Sequence, residues 1–430
     1  MAKKRDLRAE IASRKQGLPP RAYNWFYHLV MKIMIKKHNC TFEIVDDINK
    51  CKTGAFLVFN HLSRLDHMYV SMVTYPRRFN MVASYNEFFR SHLYWAFKKQ
   101  RIIPKKNYQN EVLATKLMMH RVKKGGVVAF SPEGLASNDG QNKPVVPGTG
   151  KLFKKVGVPV YYLELHGQYL QNTKPCLDER HGKVFAKLRV LFSEEDLKRL
   201  SGEEIDDIMN NEFRRDEYAW QREHHYKWEM FDRSCEGLGN LLYTCPKCGS
   251  MFTMKGEGNQ IVCENCGNGA TMDEYYDFHP LNDDCVIPEY TTPWVNKQRV
   301  DIIKAIRNDP NFAFEEEVEV GLIPNDHLLK DYKTTEVVAK GIIRIDHEGV
   351  HFKGSDTSEH DFDLDYRQIY TTFTVLDASF ISFYVNGEHT DVFPKRRTAI
   401  YMNTLIEEMH RLHVNYYKNF PWNDWMYEEQ

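Results

Sequence analysis

Several features are missing from this 430-residue chain, and each absence excludes something. No run of about 20 apolar residues occurs, so no conventional membrane-spanning helix is expected. The opening MAKKRDLRAE is charged and has no apolar core, so no secretory leader is expected either. Net charge is nearly absent: 58 Lys+Arg against 59 Asp+Glu leave −1, and the molecule as a whole attracts neither nucleic acid nor anionic membranes. Any basic surface must be local, as in the first 40 residues, where ten Lys/Arg face two Asp/Glu. Internal repeats and low-complexity tracts are missing. No Ser or Cys stands in a nucleophile-elbow context. The nine cysteines do not form a disulfide framework, since four fall in two CxxC pairs and five are scattered, a pattern that suits a reducing cytosol.

What is present is a histidine–carboxylate pair. FLVFNHLSRLDH places His61 and Asp66 in an H-x-x-x-x-D spacing directly after the apolar run Ala55 to Phe59, which reads as a buried strand. Five residues turn a helix by about 140°, so the two cannot share one helix face. The spacing works if His61 sits at a strand-to-helix junction and Asp66 lies in the first helical turns. A histidine held by a carboxylate acts as a general base. With no enzyme nucleophile in view, its target is a hydroxyl of the substrate.

Apolar content of 42% and charged content of 27% describe a soluble globular protein, too long for one core. To about residue 238 short buried strands (AFLVF, FNMVAS, RIIP, GGVVAF, GVPVYYLEL) alternate with helical patterns such as Glu111 to Val122, which predicts an α/β domain with a mostly parallel sheet. The stretch 200–223 reads as one long polar helix capped by Ser201. Ala22 to Ile35 reads as an amphipathic helix, either packed on the core or lying in a membrane interface. Residues 334–393 read as successive strands, followed by a helix from near Arg396 with Ala399, Met402, Leu405, Ile406, Met409 and Leu412 on one face. Strands followed by such a helix outline a barrel like a pleckstrin-homology (PH) or GRAM domain. The expected organisation is a basic N-terminal segment 1–40, a domain 41–238, a small module 240–272, a mixed linker 273–333 and a β-rich PH-like domain 334–418.

Other segments accompany His61 and Asp66. Ser131-Pro132-Glu133-Gly134 follows the strand GGVVAF, at the strand end where open α/β sheets bind ligands. Arg101-Ile102-Ile103-Pro104-Lys105-Lys106 carries an apolar pair into two cations, and VGVPVYYL is a strand interrupted by Pro159. In this combination and order the segments resemble the glycerolipid acyltransferase family, typified by 1-acyl-glycerol-3-phosphate acyltransferases. The resemblance spans about half the chain. It implies that His61, held by Asp66, deprotonates an acceptor hydroxyl, which then attacks an acyl thioester directly. It implies that Glu133 and Gly134 help bind the acceptor and shape the site, and that Lys105 or Lys106 stands where the family has a phosphate-binding arginine. Leu135-Ala136 replaces the family's Thr-Arg after Glu-Gly, and lysine lacks the bidentate fork of arginine, which leaves the phosphorylation of the acceptor open. The implied partners are an acyl thioester (acyl carrier protein or coenzyme A) and a lysophospholipid, at the cytoplasmic face of a membrane with peripheral contact.

Cys245-Pro-Lys-Cys248 and Cys263-Glu-Asn-Cys266, each followed by a glycine, have the spacing of a zinc ribbon. Four thiolates leave no open position on the metal, so a structural Zn is expected, with rubredoxin-like iron as the chemical alternative. The intervening loop has no basic stripe, so nucleic acid is not an expected partner. A different class of function, a lipid- or partner-binding scaffold with a degenerate acyltransferase half, is opposed by intact His61, Asp66, Glu133 and Gly134.

Overall fold

A computed structural model describes residues 5–14, 17–109, 112–330, 333–369, 371–375, 377–414 and 426. Glu111, the expected helix start, lies outside the described residues, as do parts of the basic segment 1–40 and the end of the region 334–418.

Seven strands form the first sheet: β1 (Asn39–Ile44), β2 (Ala55–Phe59), β3 (Phe79–Ser84), β4 (Ile103–Lys105), β5 (Val127–Phe130), β6 (Val160–His166) and β7 (Lys183–Phe192). Their order is β1-β7-β6-β2-β5-β3-β4. Every neighbouring pair is parallel except β6–β7, so the sheet is mostly parallel, as its apolar runs imply. β2 and β5 are buried along their whole length. Successive side chains of β2 feed two cores: Leu57 and Phe59 pack with Met68, Tyr69 and Val73 on one face, while Phe56 and Val58 pack with Met118, Val122 and Phe153 on the other. β1 and β7 were not legible as apolar runs. β1 is an edge strand of polar alternation, and β7 intersperses Lys183, Lys187 and Arg189 among its buried Val184, Ala186 and Leu188.

The stretch 200–223 is two helices, Gly202–Glu212 and Glu217–His224. Ser201 caps the first through a capping box with Glu204, as expected. Asp216 accepts from the N–H groups of Tyr218 and Ala219 and so starts a second helix where one was expected to continue.

β8 (Met254–Glu257), β9 (Gln260–Cys263), β10 (Gly269–Met272) and β11 (Phe278–Pro280) form a small antiparallel sheet that carries the cysteine module eight residues beyond 272. The second seven-stranded sheet is antiparallel, in the order β15-β14-β13-β12-β18-β17-β16. Its strands are β12 (Ala313–Leu322), β13 (Glu336–Asp346), β14 (Val350–Gly354), β15 (Phe362–Leu364), β16 (Phe373–Val375), β17 (Phe380–Val385) and β18 (Glu388–Pro394). β12 is the middle strand, and it comes from the segment 273–333 expected to be a linker. Glu315, Glu316, Glu317 and Glu319 mask the alternation that buries Val318 and Val320. The same segment supplies the helix Thr291–Asn308.

The closing helix runs from Ala399 to Val414. Ala399, Met402, Leu405, Ile406 and Met409 are buried as expected, whereas Leu412 is exposed near the helix end. The opposite face, with Asn403, Thr404, Glu407 and Glu408, is buried as well. A helix expected to hide one side is enclosed on both, because its polar side meets the first domain.

Candidate active site

β2 ends at Phe59, and Asn60 fixes that end. Its side-chain amide donates to the Leu165 carbonyl (2.8 Å) and accepts from the Leu165 N–H (2.9 Å), pinning β2 to β6. The chain then leaves the sheet, and Asp66 opens the helix Asp66–Thr74. This junction brings His61 Nδ1 to 2.6 Å from Asp66 Oδ2. Asp66 is buried, while the His61 side chain remains 32% exposed. The carboxylate on Nδ1 holds the proton there, which leaves Nε2 with a lone pair on the accessible side of the ring. Burial pushes the Asp66 carboxyl up, and the hydrogen bond from His61 opposes that shift.

Glu133 follows β5 and is fully buried. One carboxyl oxygen accepts from the His61 N–H and the other from the Lys143 N–H, each at 2.9 Å. Burial raises its pKa to about 7 against these two bonds. The Glu133 carboxyl thus ties the His61 backbone to that of Lys143. Gly134 adopts φ +74°, and an added Cβ would stand 3.3 Å from the Tyr108 hydroxyl. Tyr108 donates to the Glu133 carbonyl and the Asn107 amide to the Gly134 carbonyl, both at 2.8 Å. Gly134 thus shapes the turn.

The two lysines expected to hold a phosphate are placed differently. Lys106 donates from Nζ to the Gly387 carbonyl (2.6 Å), in the turn between β17 and β18, and lies over the rings of Tyr85 and Tyr384. It ties the end of β4 to the C-terminal domain. Lys105 closes β4 opposite Ser84, three strands from β2, which is about 14 Å at the usual strand spacing.

Other residues matter that sequence reasoning passed over. The Ser137 N–H donates to the His61 carbonyl (2.8 Å). Arg64, between His61 and Asp66, donates from Nε to Asn172 (2.9 Å). Lys174, in the same loop after β6, has its pKa pushed down to about 8 by burial and by the positive charges of Arg64 and Lys143, with Glu87 opposing. Only the position of Arg64 inside the H-x4-D segment could have drawn attention to this cluster.

The cysteine module gathers Cys245, Cys248, Cys263 and Cys266, whose sulfurs all lie within 4.8 Å of one another. Cys245–Cys266 are 3.7 Å apart and Cys248–Cys263 are 3.8 Å apart. A tetrahedral ion with metal–sulfur bonds of about 2.3 Å needs sulfurs about 3.8 Å apart, so the donor set fits a metal ion. Gly249 and Gly267, at φ +71° and +73°, turn the chain back after each CxxC pair.

At the N-terminal side the helix Arg21–Ile35 buries Met31 and Ile35 but leaves Trp25, Phe26, Leu29 and Ile33 between 39% and 60% exposed. Trp95, from the helix Ser91–Gln100, extends this apolar surface beside Tyr23. Lys32, Lys36, Lys37, Lys98 and Lys99 are neighbours in these two segments. Among the described residues no helix is long and apolar enough to cross a membrane.

Residues 36–163 match the family model described as Acyltransferase. A chloroplastic 1-acyl-sn-glycerol-3-phosphate acyltransferase of Brassica napus is 26% identical over 149 residues, 33% of this chain and 43% of that protein. One from Arabidopsis thaliana, also chloroplastic, is 26% identical over 149 residues, 33% of this chain and 41% of its own. The match thus spans less than half the length of either relative. Among solved structures, the 1-acyl-sn-glycerophosphate acyltransferase PlsC of Thermotoga maritima is 18% identical with a TM-score of 0.34, covering 43% of this chain and 81% of that one. The residues matched by that family model, 36–163, include His61, Asp66 and Glu133.

Proposed function

We propose that the chain is an O-acyltransferase that moves a fatty acyl group from a thioester, of acyl carrier protein or coenzyme A, to the hydroxyl of a lysophospholipid such as 1-acyl-glycerol-3-phosphate. The observation that carries this reading is the His61–Asp66 pair, held at 2.6 Å with the His61 side chain 32% exposed. His61 Nε2 removes the proton from the acceptor hydroxyl as its oxygen attacks the thioester carbonyl. Asp66 stabilises the imidazolium that forms. When the tetrahedral intermediate collapses, the carbon–sulfur bond breaks, and the departing sulfur takes the proton back from His61. An ester and a free thiol result, and no acyl-enzyme is needed. Arg64 and Lys174 supply positive charge near the site for an acidic headgroup.

In this reading the exposed apolar face of Arg21–Ile35, with its lysines, rests on the cytoplasmic face of a membrane. The four cysteines hold a structural Zn, for which the thiolate set and the sulfur spacing both speak. The antiparallel sheet with its closing helix is a PH-like domain.

The test is direct. Purified full-length protein is incubated with acyl thioesters and a panel of lysophospholipids, and free thiol release is followed. Thiol release that depends on the acceptor is expected, and His61→Ala should lower it by about 10²- to 10⁴-fold with the fold intact. Near-normal turnover in a folded His61→Ala protein would overturn the assignment.

A further inference from the structure

The segment between β5 and the helix Thr149–Val156 has two sides. Toward the active site, Ser137 N–H holds the His61 carbonyl, and the Lys143 N–H shares the Glu133 carboxyl with the His61 N–H. Toward the C-terminal domain, the Lys143 ammonium meets the Glu407 carboxyl at 3.1 and 3.2 Å. Glu407 also accepts from Arg299 (2.8 Å) and from the Thr371 hydroxyl (2.9 Å). Burial pushes the Glu407 carboxyl up, but Lys143 and Arg299 outweigh it and hold the pKa at about 2. Five residues earlier, Asn138 donates to Asn403 (3.0 Å) and accepts from Thr374. Asn403 in turn donates to the Thr372 carbonyl and hydroxyl.

Ionic and amide groups are costly to bury unless each is matched, and a matched network specifies one arrangement. Two of the residues held from the helix side lead to His61: Lys143, whose N–H holds the Glu133 carboxyl that accepts from His61, and Asn138, which directly follows Ser137. From this geometry, and resting on the function proposed above, we propose that the closing helix Ala399–Val414 completes the active site from outside the acyltransferase domain. Lys143, Asn138, Asn403 and Glu407 are positioning residues, and they act on His61 through the backbone at Ser137 and Lys143 and through Glu133. The C-terminal domain is then part of the catalytic apparatus in addition to any ligand it binds.

Three variants of the full chain test this: Lys143→Met, Asn403→Ala and Lys143→Arg. Asn403→Ala removes neutral bonds and leaves the ion pairs in place, so it folds even if Lys143→Met does not. Each is measured for kcat and acceptor KM per folded molecule. Amide exchange is followed at residues 55–66 and 131–148, with the core strands as reference. Lys143→Met and Asn403→Ala are expected to lower kcat by about 10- to 100-fold at nearly unchanged KM, with faster exchange in both segments and none in the reference strands. Lys143→Arg, which keeps the charge, should recover most of kcat. Normal kcat in the folded variants would overturn the proposal, whatever the exchange shows, and so would a loss of kcat without faster exchange at His61. If the unaltered protein transfers no acyl group, the functional reading fails, and the exchange measurement alone decides whether the helix holds the loop.

Discussion

Glu133 is a carboxyl buried with two backbone N–H partners and no cation of its own. Its pKa is raised from 4.5 to about 7, so the folded protein binds this proton more tightly than the unfolded chain does. Below about pH 4.5 the group is neutral in both states and has no effect. As pH climbs from 4.5 toward 7, the unfolded chain ionises first and stability falls, on the order of 3 kcal/mol in all. Above about pH 7 the penalty is constant. Glu133→Gln should abolish this slope, which urea midpoints measured from pH 4.5 to 7.5 would reveal; equal slopes in the two proteins would contradict it. The same variant should lower kcat, because an amide NH₂ faces the Lys143 N–H where a carboxyl oxygen accepted it. His61 and Asp66 were legible because their spacing encodes a turn. The partners of Glu133 were not, since a sequence shows a carboxyl at a strand end but not which way it points.

At the scale of elements, the cysteine module bridges the two larger domains. Tyr243 and Phe252 flank it and pack edge-on against Tyr401 of the closing helix, with Phe314 of β12 completing the group. Cys245 and Cys263 are buried in the core beside Tyr243, Met254 and Ile261, whereas Cys248 and Cys266 are exposed, so a metal held by all four would tie the exposed turns to the buried ones. Stripping it with a strong chelator should lower the melting temperature of the full chain by about 5–10 °C, the effect of losing a few kcal/mol, and should reduce activity. An unchanged melt after verified metal loss would show the module to be dispensable. This unit was readable because its spacing is set by coordination chemistry. β12 was hidden because four glutamates obscure its alternation, and the helix break at Asp216 because charged residues continue on both sides of it.

At the scale of the molecule, the proposed membrane contact rests on the uncovered face of Arg21–Ile35. Trp25 and Ile33 are more than half exposed, so their apolar surface contributes little to folding. Burying each in a membrane is worth about 1.5–3 kcal/mol. The pair Trp25→Ser and Ile33→Ser should therefore weaken binding to anionic vesicles by at least about tenfold in co-sedimentation, while thermal unfolding stays the same. Equal sedimentation would remove this face as the docking surface. Sequence periodicity identified the helix, but not which stripe of it the fold leaves uncovered, because that depends on neighbours distant in sequence.

The bond between Lys143 and Glu407 spans 264 residues of chain, and that between Asn138 and Asn403 spans 265. Contacts so distant in sequence close late in folding. On a ribosome adding roughly 5–20 residues per second, the acyltransferase domain emerges tens of seconds before its closing helix exists. Through that interval the nascent domain would stay catalytically silent, so activity would begin only once synthesis has reached the closing helix.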